Sequence, residues 1–391
     1  MRRIGVKTLT TLAAVGALSA GVAAQDGPIY FLTPLGDLPG GDFDSRARGL
    51  NDVGQVGGVS ENASGPRAFL WDEVGGMQTY ADANLNGAFS STTVDINNGG
   101  LISGESTVAP GGQDNTQVFY FDGVSFVEPF AGDPDIAWSR AGQVNNNGIG
   151  VGWLGTTPAS GGQTEQGFAY NFATSTVTQL SGPGVSNNTV VKGINDSNVA
   201  AGHWFESGGS TARRWDAATG VSLGDIPGLA GFTYNRSSNI NEAGTVIGAS
   251  ANDRDFLDSR NPWVWNPGDA EVTALGLLAG YSKMGANDLT DDGSLIIGTA
   301  FNTEVGDGVG AVWTLGGGWV DVNTLIDSTG DGYTVVEMEK INADGWISAT
   351  ALRDDGSLEA VLLRIIPAPG TLMLFAGAAG LFMNGRRRRG S

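Results

Sequence analysis

The chain reads as an all-β protein, a seven-bladed β-propeller built from four-stranded repeats of about 48 residues. Three observations predict this. First, an apolar lead followed by Asn-x-x-Gly, or a close variant, recurs at Asn51, Asn97, Asn145, Asn195, Asn241, Thr290 and Asn342, in steps of 46, 48, 50, 46, 49 and 52. Second, each unit carries an aromatic or β-branched run roughly 20 residues later, bounded by Gly, Asn, Asp and Pro, such as Ala68-Phe69-Leu70-Trp71 or Trp263-Val264-Trp265. Third, Ile29 to Gly36 reads as a fourth strand with no blade before it, whereas the last unit stops after its third strand, at Val361 to Ile365. The first strand is therefore expected to complete the last blade, removing an exposed edge. A β-solenoid or a pair of sandwiches is the alternative architecture for the same repeat.

In chain order, residues 1–24 read as a secretory signal peptide. Arg2, Arg3 and Lys7 open it, Leu9 to Ala20 is apolar, and Val22-Ala23-Ala24 is a small-residue cleavage site. The apolar stretch is too short to span a membrane. Residues 25–366 form the repeat domain. Within a unit the pattern predicts one strand before the Asn turn, one after it, one at the aromatic run and one leading into endings such as Val221-Ser222-Leu223-Gly224. In the turn itself, Asn bonds its own backbone and the fourth position needs positive φ. Asn198 stands where other units have Gly, as its tolerance of that conformation allows. By strand order, these turns and those after the aromatic runs share one face of the domain. The longer, variable segments, Glu61 to Pro66, Glu105 to Thr116, Leu154 to Gln166 and Ala251 to Asn261, share the other.

Residues 367–391 are different in kind. Pro367, Ala368 and Pro369 precede an apolar segment, Thr371 to Met383, closed by Arg386, Arg387, Arg388 and Arg389. Thirteen residues make about 20 Å of helix, short of the ~30 Å hydrocarbon core. The order resembles the PEP-CTERM sorting signal of bacterial exported proteins, with Ala368 where that signal has Glu. The resemblance implies transient membrane association and processing by an exosortase-type enzyme; a simple tail anchor is the plainer reading. The repeats themselves resemble the HAF repeats of bacterial extracellular proteins over residues 29 to 366. Arg67-Ala68-Phe69-Leu70-Trp71 is the closest match, although the family's His is absent from every unit. That resemblance implies a propeller in an extracellular setting and no defined activity.

Composition narrows the function. The chain has 21 basic and 41 acidic residues; with three basic residues in the leader and four in the terminal cluster, 14 remain in the body, a balance near −27. Such a body repels nucleic acid. There is no cysteine and one histidine, His203, placed directly after the second strand of unit four, so thiol chemistry and the familiar zinc and Ser-His-Asp sites lose support. No cofactor is expected. Asp327 and Asp331, in Asp-Ser-Thr-Gly-Asp-Gly, resemble part of a calcium loop, but Met338 stands where the bidentate Glu belongs, and a plain turn reads better.

The unexpected signal is a row of basic residues ahead of the turns. Arg46, Arg48, Arg140, Lys192, Arg236 and Lys283 all lie at odd offsets before the landmark of their unit, hence on one face of a strand. Units two and seven break the row, with Thr92 and Val94, then Glu337 and Glu339. Two readings stand: ion pairs between blades, or an anion-binding funnel for acidic glycans. The functional expectation is an exported, surface-associated, non-catalytic protein with a structural or binding role in the envelope or extracellular matrix. The alternative is a polysaccharide hydrolase or lyase using acidic residues of the variable face.

Overall fold

The aromatic and β-branched runs of each repeat form strands, and successive strands pair antiparallel. The computed structural model describes residues 29–366 apart from 81–87, 108–115, 157–163, 184–187, 257–258 and 303–307. The leader and the C-terminal segment therefore lie outside the described residues. Innermost strands are Gly40–Leu50, Ser90–Ile96, Ile136–Val144, Thr189–Ile194, Tyr234–Ile240, Lys283–Leu289 and Tyr333–Ile341, and each heads a four-stranded antiparallel sheet; single parallel bridges, Ser210 with Tyr234 and Asp44 with Leu358, join two pairs of these. We number these sheets blades 1 to 7. No α-helix occurs among the described residues, and the all-β propeller expected from the repeat is the fold the chain adopts.

Blade 7 draws its fourth strand from the start of the domain. Tyr30–Pro34 pairs antiparallel with Leu358–Ile365, Tyr30 opposite Ile365 and Leu32 opposite Leu363. Both apolar side chains are buried in blade 7. Two short 3-10 turns, Val322–Leu325 and Ser328–Gly330, clamp the strand: Leu32 N–H donates to Thr329 Oγ1 at 2.7 Å, and Asp327 N–H donates to the Tyr30 carbonyl at 2.9 Å. Asp327 accepts the Thr329 N–H as a cap, the structural role a turn reading requires. Buried Glu359 holds the next segment, accepting Gly36 N–H at 3.0 Å.

The core lies between blades rather than within one. Phe69 and Trp71 of blade 1 pack with Ala360 and Leu362 of blade 7; Ile149 and Val151 of blade 3 pack with Val191 and Trp215 of blade 4. A glycine in each second strand of blades 1 to 6 permits this density. A Cβ added to Gly202 would lie 2.1 Å from the Val190 carbonyl oxygen, and one on Gly58 2.0 Å from that of Arg46. Blade 7 has Ala349 at this place, opposite Met338, and just ahead of that pair the innermost strand carries a second register shift, between Val335 and Glu337.

The Asn-x-x-Gly phrase does more than turn the chain. Its Asn side chain accepts the N–H four residues on, as from Leu101 to Asn97 Oδ1 at 2.9 Å, and Gly54 and Asn198 hold φ of 81° and 60°. The same side chain also donates to the next blade. Asn51 Nδ2 bonds the Asn97 carbonyl (3.1 Å), Asn97 that of Asn145 (2.8 Å), Asn145 that of Asn195 (2.9 Å), Asn195 that of Asn241 (3.0 Å) and Asn241 that of Thr290 (3.0 Å). Asn342 donates to Asn51 (3.2 Å). Thr290 has no amide, and its turn is one residue longer: Leu295 N–H reaches Thr290 Oγ1 across five positions.

Candidate functional site

Every innermost strand is bulged just before its turn, which decides which side chains enter the central channel. In blade 4 the pairing passes from Val191 opposite Gly202 to Gly193 opposite Ala201, leaving Lys192 as the extra residue. Blades 2, 5 and 6 bulge identically, at Val94, Ser238 and Asn287. A bulge turns two successive residues toward one side. The channel is consequently lined by residues three before each landmark (Arg48, Val94, Gly142, Lys192, Ser238, Asn287 and Glu339) and also by some two before it (Gln143, Asn239 and Lys340). This corrects the expectation that odd offsets alone share the inner face.

Residues two before the landmark form a belt across the channel. Lys340 Nζ reaches Asp95 Oδ1 at 3.3 Å, passing blade 1, whose residue here is Gly49. Asn239 Nδ2 donates to Asp288 Oδ1, Asp288 Oδ2 accepts Ile341 N–H at 2.9 Å, and Gln143 Oε1 accepts Ile194 N–H at 3.1 Å. Burial pushes the Asp288 carboxyl up to about 6 despite Lys340. Burial pulls Lys340 down, but Asp95 and Asp288 more than offset it and leave its ammonium above the usual range.

The belt separates two chambers. Toward the Asn turns lies a cavity of about 280 Å³ whose rim carries Asp52, Asp196, Glu242 and Asp291. These rim residues make a second inter-blade ladder: Asp196 N–H donates to Glu242 Oε1 at 3.0 Å and Ala343 N–H to Asp52 Oδ1 at 3.0 Å. Burial, with the like charges nearby, raises the Glu242 and Asp291 carboxyls. On the other side lies a cavity of about 570 Å³ lined by Arg48, Arg140, Lys192, Arg260, Glu105, Glu339 and Trp153.

The six basic residues singled out by sequence divide into different roles. Arg48 pairs with Glu339 of blade 7, and Arg140 with Glu105 of blade 2 at 3.1 Å, so these two tie neighbouring blades together. Arg46 pairs with Asp44 of its own strand at 3.5 Å and lines the outer part of the chamber. Arg236 donates to the Arg254 carbonyl and lies between the Phe205 and Phe256 rings, 5.1 and 4.6 Å from their centroids. Lys283 is buried beside Phe301, 5.9 Å from the ring centroid, and does not line the chamber.

Lys192 alone of the six stands in the lumen with no hydrogen bond or ion pair among the described residues. Water reaches it, yet protein rings it on every side. Burial, with Arg260 and Arg236 adding like charge, pulls its ammonium down to about 8. Arg260 was not legible, because it lies at the end of the variable segment of blade 5 instead of on an inner strand. Its guanidinium has no hydrogen bond or ion pair among the described residues; it lies 5.8 Å from the Phe301 ring centroid and occupies the space beside Gly285, where a Cβ would come within 2.7 Å of Nη2. Burial lowers it as well.

Two further expectations change. His203 lies within the strand Val199–Glu206, not after it, buried opposite Val190. Burial, then Arg236 and Lys192, push its imidazole well below the usual range, so it stays neutral. The segment Glu61 to Pro66 is a tight hairpin with Asn62 opposite Gly65, whereas the loop after Ala251 sets Arg254 and Phe256 against Arg236 and brings Arg260 to the channel.

Residues 71–255, just under half of the chain, match a family model described as a protein of unknown function, DUF3466. No curated protein matches. Among solved structures, the chain is similar to YCF48 bound to D1 peptide (11% identity, TM-score 0.49, 88% of this chain and 98% of that one). It is also similar to an oligogalacturonate lyase in complex with manganese (11% identity, TM-score 0.49, 86% and 93%). A third similar structure is the β-propeller domain of the Trilobed protease from Pyrococcus furiosus (12% identity, TM-score 0.44, 68% and 81%). These likenesses concern the fold alone.

Proposed function

We propose that this chain is an exported, surface-associated, non-catalytic propeller that binds an anionic glycan in its central channel. The observation that carries the reading is the pair Lys192 and Arg260, which share the chamber and whose charged groups form no ion pair among the described residues. In a chain of net charge −20, two cations face the lumen with no carboxylate bonded to either among the described residues. Converging Lys and Arg favour carboxylate and sulfate groups, and a protein that needed them only for folding would pair them, as it pairs Arg48 and Arg140. The leader at 1–24 and the resemblance of the units to extracellular repeats support export. The segment from Pro367 to Arg389 supports retention at the envelope with an exosortase-type processing partner.

One observation favours a second reading. Glu105 and Glu339 share the chamber, and burial raises both carboxyls, as an acid and base pair in a polysaccharide hydrolase or lyase would require. Each is already committed, Glu105 to Arg140 and the Ala141 N–H, Glu339 to Arg48.

Titration of the purified full chain with a polyuronate, a sulfated glycan and a neutral glycan tests this. Binding restricted to the charged polymers, weakened by salt and by Lys192→Met or Arg260→Met, with no new reducing ends or unsaturated products, is expected. Turnover that vanishes in Glu105→Gln would replace the binding role with an enzymatic one.

A further inference from the structure

We infer that the channel is a blind socket for the end of a uronate-bearing glycan, rather than a tunnel through which a chain is threaded. This rests on the glycan-binding reading and specifies how the ligand sits.

The partition comes first. Gln143, Asn239 and Lys340 border both chambers, and the Lys340–Asp95 bridge crosses between blades that are not neighbours. A saccharide entering from the variable-loop face meets this belt, and no gap is made by a flexible surface group: Asp95 also accepts Val144 N–H at 3.1 Å and Asp288 accepts Ile341 N–H. Opening the belt would strand buried charges, which is costly.

Charge gives a second, separate argument. Beyond the belt the rim is acidic, with Asp52, Asp196, Glu242 and Asp291, so a polyanion that passed would meet repulsion. Above the belt the surplus is small. Arg48 and Arg140 are each neutralised by a glutamate, leaving Lys192 and Arg260, enough for one or two carboxylates and not for a long polyanion.

The chamber's other features suit a sugar. Its volume of about 570 Å³ lies in the range of small-ligand pockets. Trp153 lines it, half-buried, and its indole N–H makes no hydrogen bond among the described residues. An indole offers a sugar ring an apolar face and a polar edge together. Lys192 and Arg260 would then hold the carboxylate while Trp153 packs against the ring.

A fixed mass of immobilised polyuronate, intact or partly depolymerised before coupling, distinguishes ends from segments. With the full chain in excess, the amount bound is expected to rise in proportion to the number of chain ends. Binding that follows polymer mass whatever the number of ends would overturn the socket while leaving glycan binding standing. Absence of binding at every length would remove both. A short oligouronate should compete fully, and Trp153→Ala should weaken it at least about tenfold, ~1.4 kcal/mol. Inorganic sulfate or phosphate competing as well as the oligouronate, with Trp153→Ala unchanged, would show an ion site without sugar recognition.

Discussion

The side-chain amide of Asn342 donates to the backbone carbonyl of Asn51 at 3.2 Å, joining blade 7 to blade 1 across 291 positions of sequence. The adjacent Ala343 N–H donates to Asp52 Oδ1, so both inter-blade ladders cross the same junction. The repeat's Asn is thus half turn and half seam.

Asn97→Ala should be expensive for a polar residue. It removes the acceptor of the Leu101 N–H and the donor to the Asn145 carbonyl, both bonds buried. Unsatisfied buried groups cost about 1–3 kcal/mol each, so a loss of about 2–4 kcal/mol is expected in urea denaturation. Asn342→Ala should cost a similar amount. A loss below about 0.5 kcal/mol at both sites would show that the seam contributes nothing.

Removal of residues 25 to 38 strips blade 7 of Tyr30 and Leu32 and leaves the strand Leu358–Ile365 as an edge. Truncating one such buried side chain already costs about 2–5 kcal/mol. A large fall in thermal midpoint is expected, with greater aggregation from the bared edge. An unchanged midpoint would count against the role assigned to this strand.

Lys192 ties stability to alkaline pH. Its folded value, about 8, lies below its ordinary 10.5, so between these the unfolded chain holds its proton more tightly. Its contribution therefore improves as pH rises through that window and is flat below it. Lys192→Met should abolish the slope. Glycan binding should run oppositely, weakening above about pH 8 as the ammonium loses its proton. Binding independent of pH from 7 to about 10 would be incompatible with Lys192 as an anion contact.

Asp288 acts at the acid side. Its carboxyl is raised to about 6 from 3.8, so the folded form binds the proton more tightly. Its contribution is complete below the unfolded value and is lost as pH rises through about 6. Glu105 and Glu339, also raised by burial, push in the same direction. Asp288→Asn should flatten the dependence between about pH 4 and 6, measured by denaturant midpoints; an identical profile would place the titration elsewhere.

The strands, the turns and the completion of blade 7 were legible because local chemistry writes them repeatedly: β-branched and aromatic runs, a positive-φ residue at Gly54 and its equivalents, and an orphan strand at Tyr30. The basic row was legible as a row, but not its outcome. Parity along a strand assumes an unbroken pleat, and the bulges break it, the one at Glu339 admitting Lys340 to the channel. Arg260 escaped because a loop, rather than the repeat, delivers it.

What the sequence by itself determined is therefore the periodic part, where every residue's role repeats some 48 positions on and is enforced by its near neighbours. What only the tertiary structure decided is the pairing of charges. Whether a cation in the channel is neutralised depends on residues far away in the chain, as Arg48 depends on Glu339, 291 positions on. Coulombic partners are set by distance in space, and that distance exists only once the blades have met.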